Sequence, residues 1–522
     1  MDPRVPRKAC HNCRPRKLRC DRSIPSCRKC ITSGQVCLGY GTQFKFTDAV
    51  ASRGKLAGKK IPVLTDEFAA PFGCTTPAAV DSSVVLADRQ AYTSWDRIPE
   101  PAMLANITIP RILTDPLFND DNYMHRYYVS YYADRLCQDM MAVDLPDNPF
   151  RQLIPVTKSN PLLRYIIVAS SAAHMANSLK PPTAYGLTKG TNAMDHVNME
   201  ASLRARIDAL TAKQKALRLL SSALQNIETV GSDIVLTAVV FFISLECIES
   251  GKHGWKAHIE GCGRLLEHLP STAVTSETFI ECIVSDFYMY YTFASVFTRD
   301  ALVLSAYHRT DQAASAIHCA ADNSLICCPA EILQILLAAA QLSNEQDDGK
   351  ESSAKVTEAG VSLMSRTISF DLDVWASNIK SKNMGRQVMA IESRKNAGAT
   401  FQMACCLYIL YAVPSTRAFL PTDAEQTFQR DLTFHLDSIP SEDFNFKLTL
   451  WPSFIAGALA KSDEQQAWAM DRMQKIATFL PWGFVYTAID TLPIIWKLTA
   501  EDGERRSWLQ VLKDPKVNFL LV

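Results

Sequence analysis

The stretch "ACHNCRPRKLRCDRSIPSCRKCITSGQVCLGY", residues 9–40, sets six cysteines and seven Lys/Arg in a short part of a 522-residue chain. The cysteines are Cys10, Cys13, Cys20, Cys27, Cys30 and Cys37, spaced C-x2-C-x6-C-x6-C-x2-C-x6-C. Cys10 to Cys27, Cys13 to Cys30 and Cys20 to Cys37 are each 17 residues apart, so the stretch is one C-x2-C-x6-C half written twice. A polar segment of this size buries too little apolar surface to fold alone, and bound metal supplies about 10 kcal/mol or more per structural site. Zinc takes four ligands in a tetrahedron and favours thiolates. Six thiolates close one four-cysteine site with a pair left over, or two zinc sites if two thiolates bridge. The repeat favours two zinc ions, with equivalent members of the two halves as bridges. Cys10 and Cys27 suit that role, since each opens its half.

The halves match in ligands and differ in charge. The first x6 loop is "RPRKLR", with Arg14, Arg16, Lys17 and Arg19, and its counterpart "ITSGQV" is uncharged. Proline is tolerated in a first helical turn, so Pro15 fits a short helix starting near Asn12 that presents Arg16 and Lys17 outward. Lys8, Arg4 and Arg7 precede the cluster as a basic arm. Residues 1–60 hold 15 Lys/Arg against 3 Asp/Glu, although the whole chain is neutral. A basic arm on an acidic body points to a polyanionic partner.

The pattern Cys10-x-x-Cys13-Arg14-x-Arg16-Lys17-x-Arg19-Cys20-Asp21, then Pro25-x-Cys27-x-x-Cys30, then Cys37, resembles the fungal binuclear zinc cluster of the galactose-regulator class of transcription factors. The resemblance implies double-stranded DNA as partner, a first helix docked in the major groove, and Lys17 reaching base edges of a CGG-type triplet. It implies that Arg16 and its neighbours position the backbone. Lys or Arg to guanine O6/N7 is the commonest specific major-groove contact. Arg14, Arg19 and Lys8 suit phosphates, which makes binding salt-dependent. The resemblance also implies action at RNA polymerase II promoters in the nucleus and contact with the transcription machinery. The sequence carries no phosphate loop, dinucleotide fingerprint, nucleophile elbow or metalloprotease helix, so no enzymatic activity is expected. The alternative is a structural or zinc-responsive interaction module with a ligand-sensing body and only non-specific DNA affinity. The four-cation loop argues against it.

Residues 1–40 are therefore read as the DNA-binding cluster module with two short helices, 41–118 as a flexible linker, and 119–522 as an all-α body, giving a mainly α fold. The linker is proline-punctuated, and Gly54, Gly58 and Pro62 interrupt any coiled coil of the kind that many such proteins place after the cluster. Either the helical body forms a homodimer in its place, or the protein binds a single half-site with lower specificity. In the body, "NPLLRYIIVASSAAHMANSL" opens with an Asn160 cap and Pro161. The run "IVLTAVVFFISL", residues 234–245, is too short to span a bilayer, which needs about 20 apolar residues, so no membrane partner is expected. "HGWKAHIEGCGRLLEHL" and "FKLTLWPSFIAGALA" resemble motifs of the fungal-specific regulatory domain that accompanies such clusters. His258 and Cys262, one helical turn apart, read as packing residues, as do the pairs Cys327–Cys328 and Cys405–Cys406. "SNEQDDGKESSAK", residues 343–355, reads as a polar acidic loop.

Overall fold

The computed structural model describes residues 9–23, 26–33, 35, 37, 123–141, 144, 148–180, 193–267, 277–298, 326–347, 353–378, 391–501 and 506–522. The chain divides into two compact units, Met1–Arg89 and Gln90–Val522. The expected linker lies outside the described residues, as do Lys8 and Pro25. Among the described residues every regular element is helical.

In the N-terminal unit the regular helix is α1 (Arg28–Thr32), and residues 11–17 of the first half form hydrogen-bonded turns. The second unit starts with α2 (Tyr123–Tyr131), continued by a π-helical turn over Tyr132–Leu136. Tyr128 and Tyr132 are buried, so the aromatic stripe is a core face.

The helix α4 (Pro161–Leu179), preceded by α3 (Leu153–Ser159), begins as its sequence dictates. The Asn160 side chain accepts the Leu163 N–H at 3.1 Å, and Pro161 occupies the first turn where no donor is needed. It is buried over most of its length, from Leu162 to Asn177. Helix α5 (Ala193–Gln225) runs along it, meeting it through Ala205, Ala209, Ala212 and Ala216. Methyl side chains let the two backbones approach closely. The apolar run becomes α6 (Ser232–Glu249), buried from Val235 to Ile248 and packed on α4. Fully burying each such side chain contributes roughly 1.5–3 kcal/mol.

Helix α7 (Trp255–Glu267) lays Trp255, Ile259, Cys262 and Leu266 on α6, an i, i+4, i+7, i+11 stripe. Helices α8 (Glu277–Val296), α9 (Ala330–Asp347), α10 (Ser353–Ile368), α11 (Leu372–Ser377), α12 (Ile391–Ala412) and α13 (Ala424–Asp437) extend the bundle, with α12 against α9, α10, α11 and α13. The second motif forms α14 (Leu450–Ala458), which packs on α15 (Asp463–Phe479) and α16 (Gly483–Glu501). Trp451 stacks on Phe401 at 6.1 Å and 5°. The short α17 (Trp508–Leu512) precedes a buried tail, Phe519–Val522, in which the Leu520 N–H donates to the Gly251 carbonyl at 2.7 Å. Gly483 must be glycine because a Cβ there would overlap the Glu249 carbonyl.

The segment 343–355 departs from the loop reading. Residues 343–347 complete α9 and 353–355 open α10. Ser343 and Asn344 are buried and accept from Lys513 Nζ at 2.7 and 3.1 Å.

One ion-pair cluster joins α5, α6 and α7. Lys213 Nζ lies 2.8 Å from Glu246 and 2.5 Å from Glu249, and His258 Nε2 lies 3.8 Å from Glu246. Burial raises both carboxyl groups. For Glu246, His258 and Lys213 outweigh it and hold the group below its ordinary value, whereas Glu249 stays raised. Burial works to lower Lys213, but its two glutamates outweigh this and raise it. The Glu246 contribution is therefore present above its unfolded pKa of 4.5 and lost as pH falls through the lower folded value. The Lys213 contribution is full below 10.5 and lost as pH rises through the higher folded value. Lys213→Met leaves two buried carboxylates without their cation, at an expected cost of about 3 kcal/mol near pH 7 by urea unfolding. Near pH 4 the cost shrinks, because the protonated acids no longer need it. An equal cost at both pH values would instead assign the loss to packing of the lysine stem.

Candidate metal centre and nucleic-acid interface

The cysteine stretch closes the same turn twice. The Arg14 N–H donates to the Cys10 carbonyl at 2.9 Å, and the Ile31 N–H donates to the Cys27 carbonyl at 3.2 Å. The Leu18 N–H reaches the Cys13 carbonyl at 3.0 Å, and the Gln35 N–H reaches the Cys30 carbonyl at 3.0 Å. Each bond has its counterpart 17 residues on, so the repeat in cysteines is also a repeat in backbone. The C-x2-C spacing gives each half the same N–H to sulfur contact, Cys13 to Cys10 Sγ and Cys30 to Cys27 Sγ, both at 3.4 Å.

These turns gather the thiols into two groups of four, Cys10, Cys13, Cys20, Cys27 and Cys10, Cys27, Cys30, Cys37. Within each group the sulfurs all lie within 4.8 Å of one another. Cys10 and Cys27 belong to both, with their sulfurs 3.6 Å apart. Cys10 to Cys30 is 3.7 Å and Cys13 to Cys27 is 3.8 Å. A zinc–sulfur bond of about 2.3 Å makes the edge of a sulfur tetrahedron about 3.8 Å. The thiol set thus fits two tetrahedral zinc ions sharing an edge.

Burial, then hydrogen bonds to the Cys10 and Cys27 thiols, pushes the Cys13 thiol up to about 12, and burial leads in raising Cys30 to about 11. Burial also opposes ionisation of Cys20, but the N–H groups of Cys10 and Arg22 bring it down to about 7. A bound cation is what makes thiolates of such a group, and zinc supplies that charge.

Asp21 braces the second half. It accepts the Ser23 hydroxyl at 2.5 Å and the Arg28 N–H at 2.9 Å, at the start of α1. The Ser23 bond leads in holding its carboxyl below the ordinary range.

The four cations of the first loop sit on the capped turn above the thiols. The Lys17 N–H donates to the Arg14 carbonyl at 3.2 Å and, with the Leu18 bond, completes a Schellman closure. That closure requires a left-handed residue, and Lys17 supplies it with φ +53°. Glycine is the usual residue there, and Gly34 stands 17 positions on in the other half. The sequence reading missed this constraint, although aligning the two halves exposes it. Arg14, Arg16, Lys17 and Arg19 are all exposed. Arg14 donates to the Ala9 carbonyl at 3.1 Å, and Arg16 donates across the halves to Gln35 Oε1 at 2.6 Å. Gln35, an uncharged residue of the neutral loop, thus holds a cation of the charged one.

Two family models match the chain. The fungal Zn(2)-Cys(6) binuclear cluster domain covers residues 8–45, and the fungal specific transcription factor domain covers residues 126–522. The chain belongs to the fungal zinc-cluster transcription factors. It is a DNA-binding regulator of transcription that carries two zinc ions, and both families are regulatory rather than enzymatic. It is 27% identical to the acriflavine sensitivity control protein acr-2 of Neurospora crassa, over 99% of this chain and 97% of that protein. No solved structure matches it.

In the large unit, the His258 ring stacks on Phe242 at 5.0 Å, and Cys262 is fully buried on α7. Burial raises the thiols of Cys262, Cys328 and Cys406 well above the ordinary range and takes Cys327 to about 11 and Cys405 to about 12. These are protonated core residues. No described helix is long and apolar enough to cross a membrane.

The left-handed Lys17 predicts a backbone effect separable from its charge. A non-glycine residue in this conformation costs roughly 1–2 kcal/mol. Lys17→Gly should keep both zinc ions and slow their loss to a chelator, whereas Lys17→Ala should release zinc at about the parent rate. Faster zinc loss from the glycine variant would show that the lysine side chain supports the fold.

Proposed function

We propose that this protein reads a CGG-type triplet in the DNA major groove through Lys17, acting in the nucleus on RNA polymerase II promoters. Residues 1–40 serve as the reading module, 41–118 as the linker and 119–522 as the regulatory body, which also self-associates and meets the transcription machinery. Cys10, Cys13, Cys20 and Cys27 hold one zinc, and Cys10, Cys27, Cys30 and Cys37 hold the other, with Cys10 and Cys27 bridging. The observation that carries this reading is the exposed lysine at the strained corner of a turn built directly on the thiol cluster. Backbone strain persists at functional sites when the surrounding structure fixes it. Arg14, Arg16, Arg19 and Lys8 neutralise phosphates. For Arg16 this means exchanging its Gln35 bond for a phosphate oxygen.

Selection from a random DNA pool with the intact, zinc-loaded protein should recover the triplet. Lys17→Gly, still holding two zinc ions, should lose about 10- to 100-fold in discrimination at one guanine. A uniform loss across all sequences would make Lys17 a phosphate contact and overturn the base-reading role.

Zinc counting tests the ligand sets. Cys10→Ala takes a ligand from both sites and should release both metals, whereas Cys13→Ala takes a ligand from one. Two zinc ions retained by Cys10→Ala would overturn the bridging role.

A further inference from the structure

Helix α5 exposes apolar side chains in a fixed period. Of the fifteen large hydrophobic residues that are exposed among the described residues, seven lie on this helix. Leu203, Leu210, Leu217 and Leu224 recur every seventh position, and they are 58%, 62%, 39% and 47% exposed. Ile207, 56% exposed, stands three residues before Leu210. Continuing at that interval, Gln214 and Ser221 complete a second row. The two rows alternate four and three residues apart, the spacing of a coiled-coil seam. The seam is distinct from the buried alanine face that meets α4 and lies about a third of a turn around the helix from it.

We infer that this seam pairs two copies of the chain as a parallel, two-stranded coiled coil. The inference rests on the self-association part of the proposed function and is independent of how the zinc module reads DNA. The leucine row fixes the occupant. A seven-residue period held from Leu203 to Leu224, about 33 Å of helix, is met best by a helix with the same period. A lipid surface needs an apolar face but no such register.

In parallel register each leucine meets its own copy, and Gln214 meets the Gln214 of the second copy amide to amide. Ile207 in this row favours two strands, and the polar Gln214 and Ser221 specify register at a cost in stability. The flanking charges allow the pairing. Arg206 comes opposite Thr211 of the second copy. Lys213 comes opposite Arg218, but its charge is already held by Glu246 and Glu249.

The test uses the full-length, zinc-loaded protein in sedimentation equilibrium. The parent should be a dimer at micromolar concentration. Leu210→Glu with Leu217→Glu should weaken the dimer by about 100-fold or more, with helicity by circular dichroism and zinc content unchanged. Should the glutamates lower helicity, Leu210→Ala with Leu217→Ala makes the same measurement without adding charge. Gln214→Cys should gain, under mild oxidant, a cross-linked dimer that the parent protein does not form.

A monomeric parent would overturn both the inference and the self-association it rests on. A dimer indifferent to the leucine substitutions would overturn the inference alone. A dimer that the leucine substitutions dissociate but Gln214→Cys does not cross-link would overturn the parallel register. Binding of a single-triplet probe reports the zinc module separately and should be the same for parent and leucine variants.

Discussion

The N-terminal module depends on two sulfurs, Cys10 and Cys27, that stand 3.6 Å apart and belong to both groups of four. The buried hydrophobic cluster of this module consists of cysteines, Cys10, Cys13, Cys27 and Cys30. Among the described residues no aliphatic core holds this module if the thiols repel or protonate apart. The two zinc ions are that core, and a shared edge lets six ligands suffice for both. The repeated turns exist to bring the sulfurs to this spacing.

A symmetric scaffold would present the same surface twice, and this one does not. Its backbone bonds recur at 17-residue intervals, while its cations occupy one loop. Where the sequence of the neutral half has Gly34, the charged half carries Lys17 at φ +53°. A lysine in this conformation costs conformational energy that a glycine would avoid, and the metal-closed turn has the rigidity to impose it. Strain and charge thus coincide at Lys17, as they do at Arg22 with φ +61°, and the cross-half bond from Arg16 to Gln35 ties the Lys17 corner to the quiet half.

The module was legible because ligand spacing along the chain is nearly the whole of its structure. C-x2-C fixes a turn, and a 17-residue repeat fixes a pseudo-two-fold. The handedness of Lys17 was less legible, since a φ angle leaves no mark on a residue that is also wanted for its charge. In the large unit, helix starts such as Asn160–Pro161 and buried runs such as residues 234–245 could be read locally. The segment 343–355 could not. Its polar residues looked solvated, yet Ser343 and Asn344 are buried by Lys513, 170 residues along the chain from Ser343. A tertiary partner of that kind overrides local polarity.

Helix α5 inverts the ordinary rule most completely. Hydropathy sends leucine inside and lets alanine face either way. Here Ala205, Ala209, Ala212, Ala216 and Ala223 are buried with Leu220, while Leu203, Leu210, Leu217 and Leu224 are exposed. The inside choice follows from α4, whose close approach favours small side chains such as alanine and Ser202 along most of the buried face. The outside choice has no such cause among the described residues. Exposed leucine gains nothing from water, and a helix needs only alanine, glutamate or lysine to remain a helix. Scattered exposed leucines would call for no explanation, but four at exact seven-residue intervals impose a register, and register matters only to a second helix. The inferred pairing would place the coiled coil on the body, where α4 and α6 already pack against the helix, in place of one after the cluster.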